Sequence, residues 1–249
     1  MQTVITMAGL GTRFKKAGYD VPKYEIISHG RSLFYWSMSS LKKSVSDDDD
    51  FYFIVRAEDN AAGFIQDEAA KVFGSCKDRF HVIQIDAMTD GQATTALLAA
   101  PCWKPFEPLL IYNIDTYVEP GHMMPKDGVP ASTDGFIPCF NAPGDHWSFV
   151  ETDKDGIAVQ VREKQRISDN CTIGAYWFSS CALYERMYEE YYKNGQNMEK
   201  GEKYVAPLYN HMITKGMTVR ICNIGKSFVH VLGTPEERQV FENEEIREL

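Results

Sequence analysis

The chain has 249 residues, of which 44% are hydrophobic and 24% charged, and its net charge is −9. These values predict one large globular domain, or one domain with an added lobe. The acidic balance argues against bulk nucleic-acid binding, which needs a positive surface, although a few local arginines and lysines can hold a small anion. Apolar runs stay below the roughly 18 residues of a membrane-spanning helix, so no membrane partner is expected.

The first half of the chain alternates between the patterns of strands and helices. Strands are predicted at 4–8, 51–55, 80–85 and 109–114, and helices at 33–45, 57–73 and 91–100. This alternation predicts an α/β fold, a Rossmann-like and mainly parallel sheet flanked by helices. Right-handed crossovers would bring the carboxyl ends of its strands to one edge, where ligands bind in such sheets.

The second half has an α+β character. Strands are predicted at 136–140, 148–151, 157–161, 172–178, 218–223 and 228–232, and helices at 182–192, 203–215 and from Pro235 onward. A turn at 153–156 predicts a hairpin between two of these strands. We therefore predict a Rossmann-like half at 1–130 and a second lobe at 131–249, joined in one integrated domain.

The cysteines stand apart from one another, without a C-x-x-C pair. They are Cys76, Cys102, Cys139, Cys171, Cys181 and Cys222. Such spacing is typical of reduced thiols and argues against a disulfide framework or a zinc site. The first residues also lack the pattern of a secretory signal, so we expect a cytoplasmic protein.

A glycine-rich stretch, MAGLGTRFKKAGYDVPKY at 7–24, follows the first predicted strand. A dinucleotide-binding turn needs a third glycine where Phe14 stands, and the spacing does not fit a Walker P-loop. What remains is a turn whose backbone N–H groups can approach phosphate oxygens. Arg13 can bind a phosphate through two hydrogen bonds, and Lys23 can add a charge at a second phosphate. A purely structural turn is the alternative interpretation.

The run Gly9–Arg13, followed by Pro22-Lys23, resembles the signature of the nucleotidyltransferases that activate sugar 1-phosphates and related small molecules. The resemblance covers nearly the whole chain. Members of this family join NMP from an NTP to a phosphorylated acceptor and release pyrophosphate. The resemblance implies a nucleotide-binding first half, an acceptor-binding second lobe, and catalytic roles for Arg13 and Lys23. In this stretch it assigns the nucleotide to Ala8, Gly9, Gly11 and Thr12.

The segment 90–96, DGQATTA, is similar to the family's second nucleotide segment, where small residues open a helix against the base and ribose. The resemblance therefore assigns Gly91 and Gln92 to the nucleotide. Asp86 matches a base-contacting position, and a carboxylate there would favour cytosine or guanine. A capped helix with small packing residues is the alternative interpretation.

The segment 112–116, YNIDT, closes a buried strand at the expected ligand edge. Asp115 resembles the family's metal-binding aspartate, and the resemblance implies Mg²⁺ bridging phosphates. Asn113 is expected to contact the nucleotide. An aspartate at this place can also be an ordinary turn residue.

The pair Glu163-Lys164 resembles the family's acceptor-binding pair, in which the lysine meets the acceptor phosphate and the carboxylate often meets an acceptor hydroxyl. Gly174 lies in the glycine-containing strand that follows the pair in the family. The resemblance thus implies a catalytic role for Lys164 and acceptor binding by Glu163 and Gly174. Trp147 and Tyr204 are further candidates for the acceptor wall, with ordinary packing as the alternative.

The segment 232–236, LGTPE, is similar to the family's late Gly-Thr-Pro-Glu turn. Many members carry a second metal-binding aspartate two residues before that glycine, but this chain has Val231 there. His230 stands beside it and is the candidate replacement, although Mg²⁺ prefers oxygen ligands.

The stretches 14–24 and 167–170 look most like the capsule-associated branch of the family, whose cytidylyltransferases act on small non-sugar phosphates such as phosphocholine or phosphoglutamine. We therefore predict a CTP-dependent enzyme that uses Mg²⁺ and a phosphorylated small-molecule acceptor. Two other classes stay open: a nucleotide-sugar-dependent glycosyltransferase of related fold, and a non-catalytic nucleotide-binding regulator. A homodimer is compatible with these features.

Overall fold

The computed structural model describes residues 1–74 and 77–246. Cys76 lies outside these residues, and the other five cysteines are free. Within the two described ranges, no helix is long and apolar enough to cross a membrane.

The secondary structure follows the predicted order, with shorter elements. The strands are β1 (Gln2–Thr6), β2 (Ile27–Ser28), β3 (Arg31–Ser32), β4 (Asp50–Arg56), β5 (Phe80–Ile85), β6 (Leu109–Asn113), β7 (Thr116–Val118), β8 (Gly135–Phe140), β9 (Ser148–Thr152), β10 (Ala158–Glu163), β11 (Cys171–Thr172), β12 (Ala175–Phe178), β13 (Val219–Ile224) and β14 (Val229–Val231). The α-helices are α1 (Thr12–Lys16), α2 (Leu33–Ser39), α3 (Ala62–Phe73), α4 (Gln92–Leu97), α5 (Cys181–Tyr191), α6 (Leu208–Thr214) and α7 (Pro235–Glu242).

One ten-stranded sheet contains strands from both halves of the chain, in the order β10-β9-β11-β8-β12-β6-β1-β4-β5, with β13 paired to β8. The strands β6, β1, β4 and β5 are parallel to one another. At β6 the direction changes, because its other neighbour, β12, is antiparallel. The predicted class, a Rossmann-like sheet flanked by helices with an added α+β part, is confirmed.

Alternating side chains of the central strands fill two cores, one on each face of the sheet. Val4 and Ile111 pack with residues of α4, α5 and α6, whereas Ile5 and Phe53 pack with residues of α2 and α3. Because both faces are covered, these strands have nearly continuous apolar sequences, which is typical of parallel strands. This is the pattern from which the sheet was predictable.

Several predicted boundaries are wrong for local reasons. The helix predicted at 33–45 ends at Ser39, whose hydroxyl bonds back to the Tyr35 carbonyl at 2.7 Å, a contact that competes with helix continuation. The helix predicted at 57–73 is interrupted at Asn60, which has a φ of 49°. Most important for the site, the strand predicted at 172–178 is divided at Gly174, which has a φ of +77°.

Candidate active site

A cavity of about 770 Å³ lies at the carboxyl ends of β1, β4 and β6, and we call it the cleft. The first half lines it with the glycine-rich turn, the segment 88–92 and the end of β6. The second half lines it with segments around 146–148, 163–164, 172–176 and 201–205. Its size is that of a site for a nucleotide-sized ligand, and its position is the sheet edge that the strand pattern predicted.

The glycine-rich turn leads into α1 at one end of the cleft. Gly11 precedes the helix with a φ of +60°, a left-handed conformation that glycine adopts without steric cost. Phe14 is fully buried and packs edge-on against Tyr19, so it anchors α1 to the protein. Arg13 and Lys15 line the cleft on this anchored helix. The aromatic residue that breaks the dinucleotide pattern therefore fixes the position of Arg13.

Lys23 and Asp115 meet on the floor of the cleft. The Lys23 ammonium forms an ion pair and hydrogen bond with Asp115 Oδ1. The lysine side chain is only 13% exposed, whereas the aspartate is 46% exposed to the cleft. The two residues predicted to act on phosphates and metal are thus direct neighbours, and the carboxylate remains accessible to a ligand.

An amide network ties three segments together beside this pair. Gln92 Nε2 donates to Asn113 Oδ1 and to Thr6 Oγ1, the latter at 3.1 Å. A Cβ on Gly174 would lie 2.4 Å from Asn113 Nδ2, and the Asn113 N–H donates to the Gly174 carbonyl at 3.0 Å. The glycine therefore breaks the strand where Asn113 needs the space. The structure brings Gln92, Asn113 and Gly174 together at the cleft.

Gly91 lines the cleft and also has a structural reason to be glycine, whereas Asp86 lies away from the cleft. Gly91 has a φ of +140°, and a Cβ there would lie 2.4 Å from the Lys203 carbonyl oxygen. Its lack of a side chain is thus required by the Lys203 backbone, although the residue also lines the cleft. Asp86 is exposed and lies outside the lining of the cleft, where Met88 and Thr89 stand instead.

The predicted acceptor residues converge on the part of the cleft that the second half of the chain lines. Lys164 Nζ donates to the Tyr204 hydroxyl at 3.0 Å and lies 3.5 Å from Glu163 Oε1. Partial burial lowers the pKa of Lys164, but the hydrogen bond to Tyr204 and the charge of Glu163 outweigh burial, so that this pKa is raised. The Lys164 N–H donates to the Trp147 carbonyl at 2.9 Å, and Ser148 donates to Glu163. Lys164 is therefore a persistent cation, and its Nζ lies 4.7 Å from the centroid of the Tyr204 ring.

His230 does not share the site with Asp115. Its ring stacks on Tyr117 at 5.2 Å between centroids, and its Nδ1 lies 2.5 Å from Glu244 Oε2. Alternation along β14 directs the neighbouring Val231, rather than His230, to the cleft. The expectation that His230 replaces the missing metal ligand is therefore wrong in its geometry.

A carboxylate that the sequence analysis missed lies where His230 was expected. Thr234 caps α7 by accepting a hydrogen bond from the Glu237 N–H at 3.1 Å. Glu237 Oε2 is 3.2 Å, and Asp115 Oδ2 is 3.8 Å, from the position that a Cβ of Gly233 would occupy. Two carboxylates thus converge on space left open by a glycine. The capping pattern Thr-x-x-Glu was visible in the sequence, but only the packing of α7 shows that its glutamate faces the cleft.

Other lining residues were also missed. They are Lys15, Tyr24, Arg56, Asp59, Ser148 and Tyr176. Arg56 pairs with Asp59 at 2.5 Å, and the Tyr24 hydroxyl donates to Asp59 at 3.1 Å, so this corner is fixed by its own contacts. No spacing signal in the sequence joined Tyr24 with Asp59, because the segments that follow β1 and β4 come together through the parallel pairing of these two strands.

The protein has the nucleotide-diphospho-sugar transferase-like fold. Its features are a mixed, mainly parallel sheet flanked by helices and a cleft at the carboxyl ends of the parallel strands. The chain is 32% identical to a nucleoside-diphosphate-sugar pyrophosphorylase from Vibrio cholerae RC9, over 98% of this chain and 100% of that one, with a TM-score of 0.85. The chain therefore belongs to the nucleotidyltransferase family.

More distant structures share the fold. An inositol-1-phosphate CTP transferase from T. maritima is 16% identical, with a TM-score of 0.73 over 97% of this chain and 93% of that one. A CTP:phosphocholine cytidylyltransferase from Streptococcus pneumoniae is 14% identical, with a TM-score of 0.73 over 97% of each chain. No protein-family model and no curated protein matches the chain.

Proposed function

We propose that this protein transfers NMP from an NTP to a phosphorylated small molecule or sugar 1-phosphate and releases pyrophosphate. The observation that carries the proposal is the placement of Arg13, Lys23 and Lys164 along one cleft, with Asp115 paired to Lys23. These cations line one cavity of about 770 Å³, to which both halves of the chain contribute. An acidic protein that gathers them there is suited to anionic substrates.

The proposed chemistry is a single in-line displacement. An oxygen of the acceptor phosphate attacks the α-phosphorus of the NTP, a new P–O–P bond forms, and the bond to the β-phosphate breaks as pyrophosphate leaves. Such a reaction requires alignment and neutralisation of charge rather than a covalent enzyme group. Arg13 binds the departing β- and γ-phosphates, Lys23 lies at the reacting phosphates, and Lys164 holds the acceptor phosphate.

Mg²⁺ is the proposed cofactor, and the donor set fits it. Asp115 and Glu237 present carboxylate oxygens to the same open space beside Gly233, and hard oxygen ligands are those that Mg²⁺ prefers. The described residues contain no cluster of three or more acidic, histidine or cysteine side chains that could hold a metal alone. Phosphate oxygens would complete the coordination, as is usual for Mg²⁺ in nucleotide sites. When bound, the ion would neutralise phosphate charge.

CTP and a small cationic or hydroxylated phosphate are the favoured substrates. The acceptor end offers the carboxylates Glu163 and Glu202 beside the aromatic rings of Trp147 and Tyr204. Carboxylates accept hydrogen bonds from hydroxyl or amino groups, and aromatic faces attract ammonium groups. Together with the resemblance to the capsule-associated branch, this supports cytidylyl transfer in capsule or cell-surface polysaccharide biosynthesis.

A cytoplasmic location, a homodimer and the division at residue 130 remain predictions.

A nucleotide-sugar-dependent glycosyltransferase is the second candidate function. Such enzymes use a D-x-D metal motif, but here Asn113 precedes Asp115, and its amide oxygen accepts a hydrogen bond from Gln92. The glycine-rich turn with Arg13 would also have no role. A non-catalytic regulator would bind a nucleotide without turnover.

The test is a matrix of pyrophosphate release, with four NTPs against a panel of phosphorylated acceptors that includes phosphocholine and sugar 1-phosphates. We expect release only when an NTP and an acceptor are both present, with CTP giving the fastest rate. Sugar transfer from a nucleotide sugar without pyrophosphate release would support the glycosyltransferase instead. Nucleotide binding without turnover on any acceptor would contradict the proposed transfer and favour the regulator.

A further inference from the structure

The segment 201–204, which we call the bridging loop, packs directly on the nucleotide-binding segment. The Lys203 N–H donates to the Asp90 carbonyl at 2.7 Å, and the Ala93 N–H donates to the Lys203 carbonyl at 3.0 Å. Between these bonds, a Cβ on Gly91 would lie 2.4 to 2.9 Å from three Lys203 backbone atoms. The two segments are therefore in backbone-to-backbone contact at the start of α4.

The Lys203 side chain strengthens this contact from outside the cleft. Its Nζ lies 2.6 Å from Asp90 Oδ2 and donates to the Tyr188 hydroxyl at 3.2 Å, above the rings of Tyr188 and Tyr192. The side chain is 15% exposed. Lys203 is outside the lining of the cleft, whereas its neighbours Glu202 and Tyr204 are part of it. Its ammonium thus serves a contact within the protein and not a ligand.

The other end of the bridging loop reaches the acceptor subsite. The Tyr204 hydroxyl accepts a hydrogen bond from Lys164 Nζ at 3.0 Å. The Tyr204 carbonyl accepts a hydrogen bond from the Tyr192 hydroxyl at 2.6 Å. Tyr192 also lies beneath Lys203, with its ring centroid 5.8 Å from Nζ. One short loop is therefore fixed at Asp90–Ala93 on one side and at Lys164 on the other.

We propose that Lys203 is a positioning residue that couples the nucleotide subsite to the acceptor subsite. The inference rests on the proposed function. A nucleotide bound against Gly91 and Gln92 restricts the segment 90–93, and the ion pair and backbone bonds of Lys203 transmit this restriction to Tyr204. Since coupling between two sites is reciprocal, an acceptor held by Lys164 and Tyr204 strengthens nucleotide binding to the same degree. Neither ligand needs to touch Lys203.

Amide hydrogen exchange on the full chain, with and without CTP and Mg²⁺ and without acceptor, tests the coupling. In the wild type, CTP is expected to slow exchange in both 88–94 and 199–206. In Lys203→Met, exchange in 88–94 still slows on addition of CTP, but the slowing in 199–206 is lost. In a separate binding measurement without Mg²⁺, the acceptor should lower the dissociation constant of CTP about five- to tenfold in the wild type, a typical size for such coupling, and should have no such effect in Lys203→Met. Lys203→Arg keeps the charge and restores both effects.

Lys200→Met is the matched control, because Lys200 is an exposed lysine of the same region that does not line the cleft. Its exchange pattern is expected to equal that of the wild type. If Lys203→Met folds poorly, Asp90→Asn removes the same ion pair from the other side and should give the same loss in 199–206. Unchanged CTP-induced slowing in 199–206 in both folded variants would overturn the coupling. If none of the four NTPs slows exchange in the wild-type segment 88–94, the proposed nucleotide function fails, and the coupling fails with it.

Discussion

Lys23 and Asp115 are 92 positions apart in the chain, and their charged groups form an ion pair on the floor of the cleft. The pair joins the loop after β1 to the loop after β6, two strands that lie side by side. The ion pair holds the Lys23 ammonium beside the Asp115 carboxylate before any substrate binds. Such preorganisation lowers the reorganisation needed when phosphate charge develops at the site.

The first prediction concerns the cations at the nucleotide end of the cleft. Arg13→Ala and Lys23→Ala should each lower kcat for pyrophosphate release by about 10²- to 10³-fold, because each removes a charge that is aimed at the reacting phosphates. Lys16→Ala is the control, since Lys16 lies on the same helix but outside the lining of the cleft. Steady-state measurement of kcat for the three variants would distinguish the two cleft residues from the control. Wild-type rates in both cleft variants would disprove the assigned roles.

The second prediction concerns Glu237 and the proposed cation. Glu237→Gln should raise the Mg²⁺ concentration for half-maximal activity about tenfold, because a charged oxygen ligand is lost. Binding of Mn²⁺ to the enzyme with CTP, measured by electron paramagnetic resonance, should weaken in parallel. Glu236→Gln is the matched control, because Glu236 is exposed and outside the lining of the cleft. If the two variants bind Mn²⁺ equally well, Glu237 is not a ligand.

The third prediction concerns the strand break at Gly174. Gly174→Ala places a methyl group 2.4 Å from Asn113 Nδ2 and keeps a positive φ of 77°. We expect a loss of about 3 kcal/mol in the free energy of unfolding, from overpacking and backbone strain together. Gly18→Ala has a similar φ of +87° with nothing within 4 Å of the new methyl group, and strain alone should cost about 1 kcal/mol. Urea denaturation measures the free energy of unfolding of both variants. Equal losses in Gly174→Ala and Gly18→Ala would contradict the proposed clash.

The fourth prediction concerns the pH dependence of acceptor binding. Burial lowers the pKa of Lys164, but the contacts with Tyr204 and Glu163 raise it by more, so the net shift is upward. The side chain therefore keeps its positive charge at every pH below the ordinary lysine pKa of about 10.4, and loses the charge only at a higher pH. The acceptor KM should therefore stay constant between about pH 7 and pH 9. Tyr204→Phe removes one of the stabilising contacts and should raise the acceptor KM at every pH. A wild-type KM that rises steeply in this interval would show that Lys164 does not remain charged.

The sequence predicted those features that depend on local periodicity. The apolar runs of β4 and β6 identified the parallel sheet, and its carboxyl edge then located Arg13 and Asp115 in one site. Features that depend on contacts between distant segments were not predictable. Gly174 stands in a run of strand-forming residues, and only the Asn113 side chain explains the break. The position of Glu237 in the cleft was not predictable for the same reason, because the orientation of α7 is set by its packing and not by its own sequence.

The unbroken hydrogen bonding from β5 to β10 limits how the protein can open. The β6–β12 ladder, which pairs Tyr112 with Ala175, joins the two halves through the middle of the sheet. A hinge motion that swings one half away from the other would have to break this ladder at each turnover. Entry and exit of substrates are therefore left to the surface segments at the rim of the cleft.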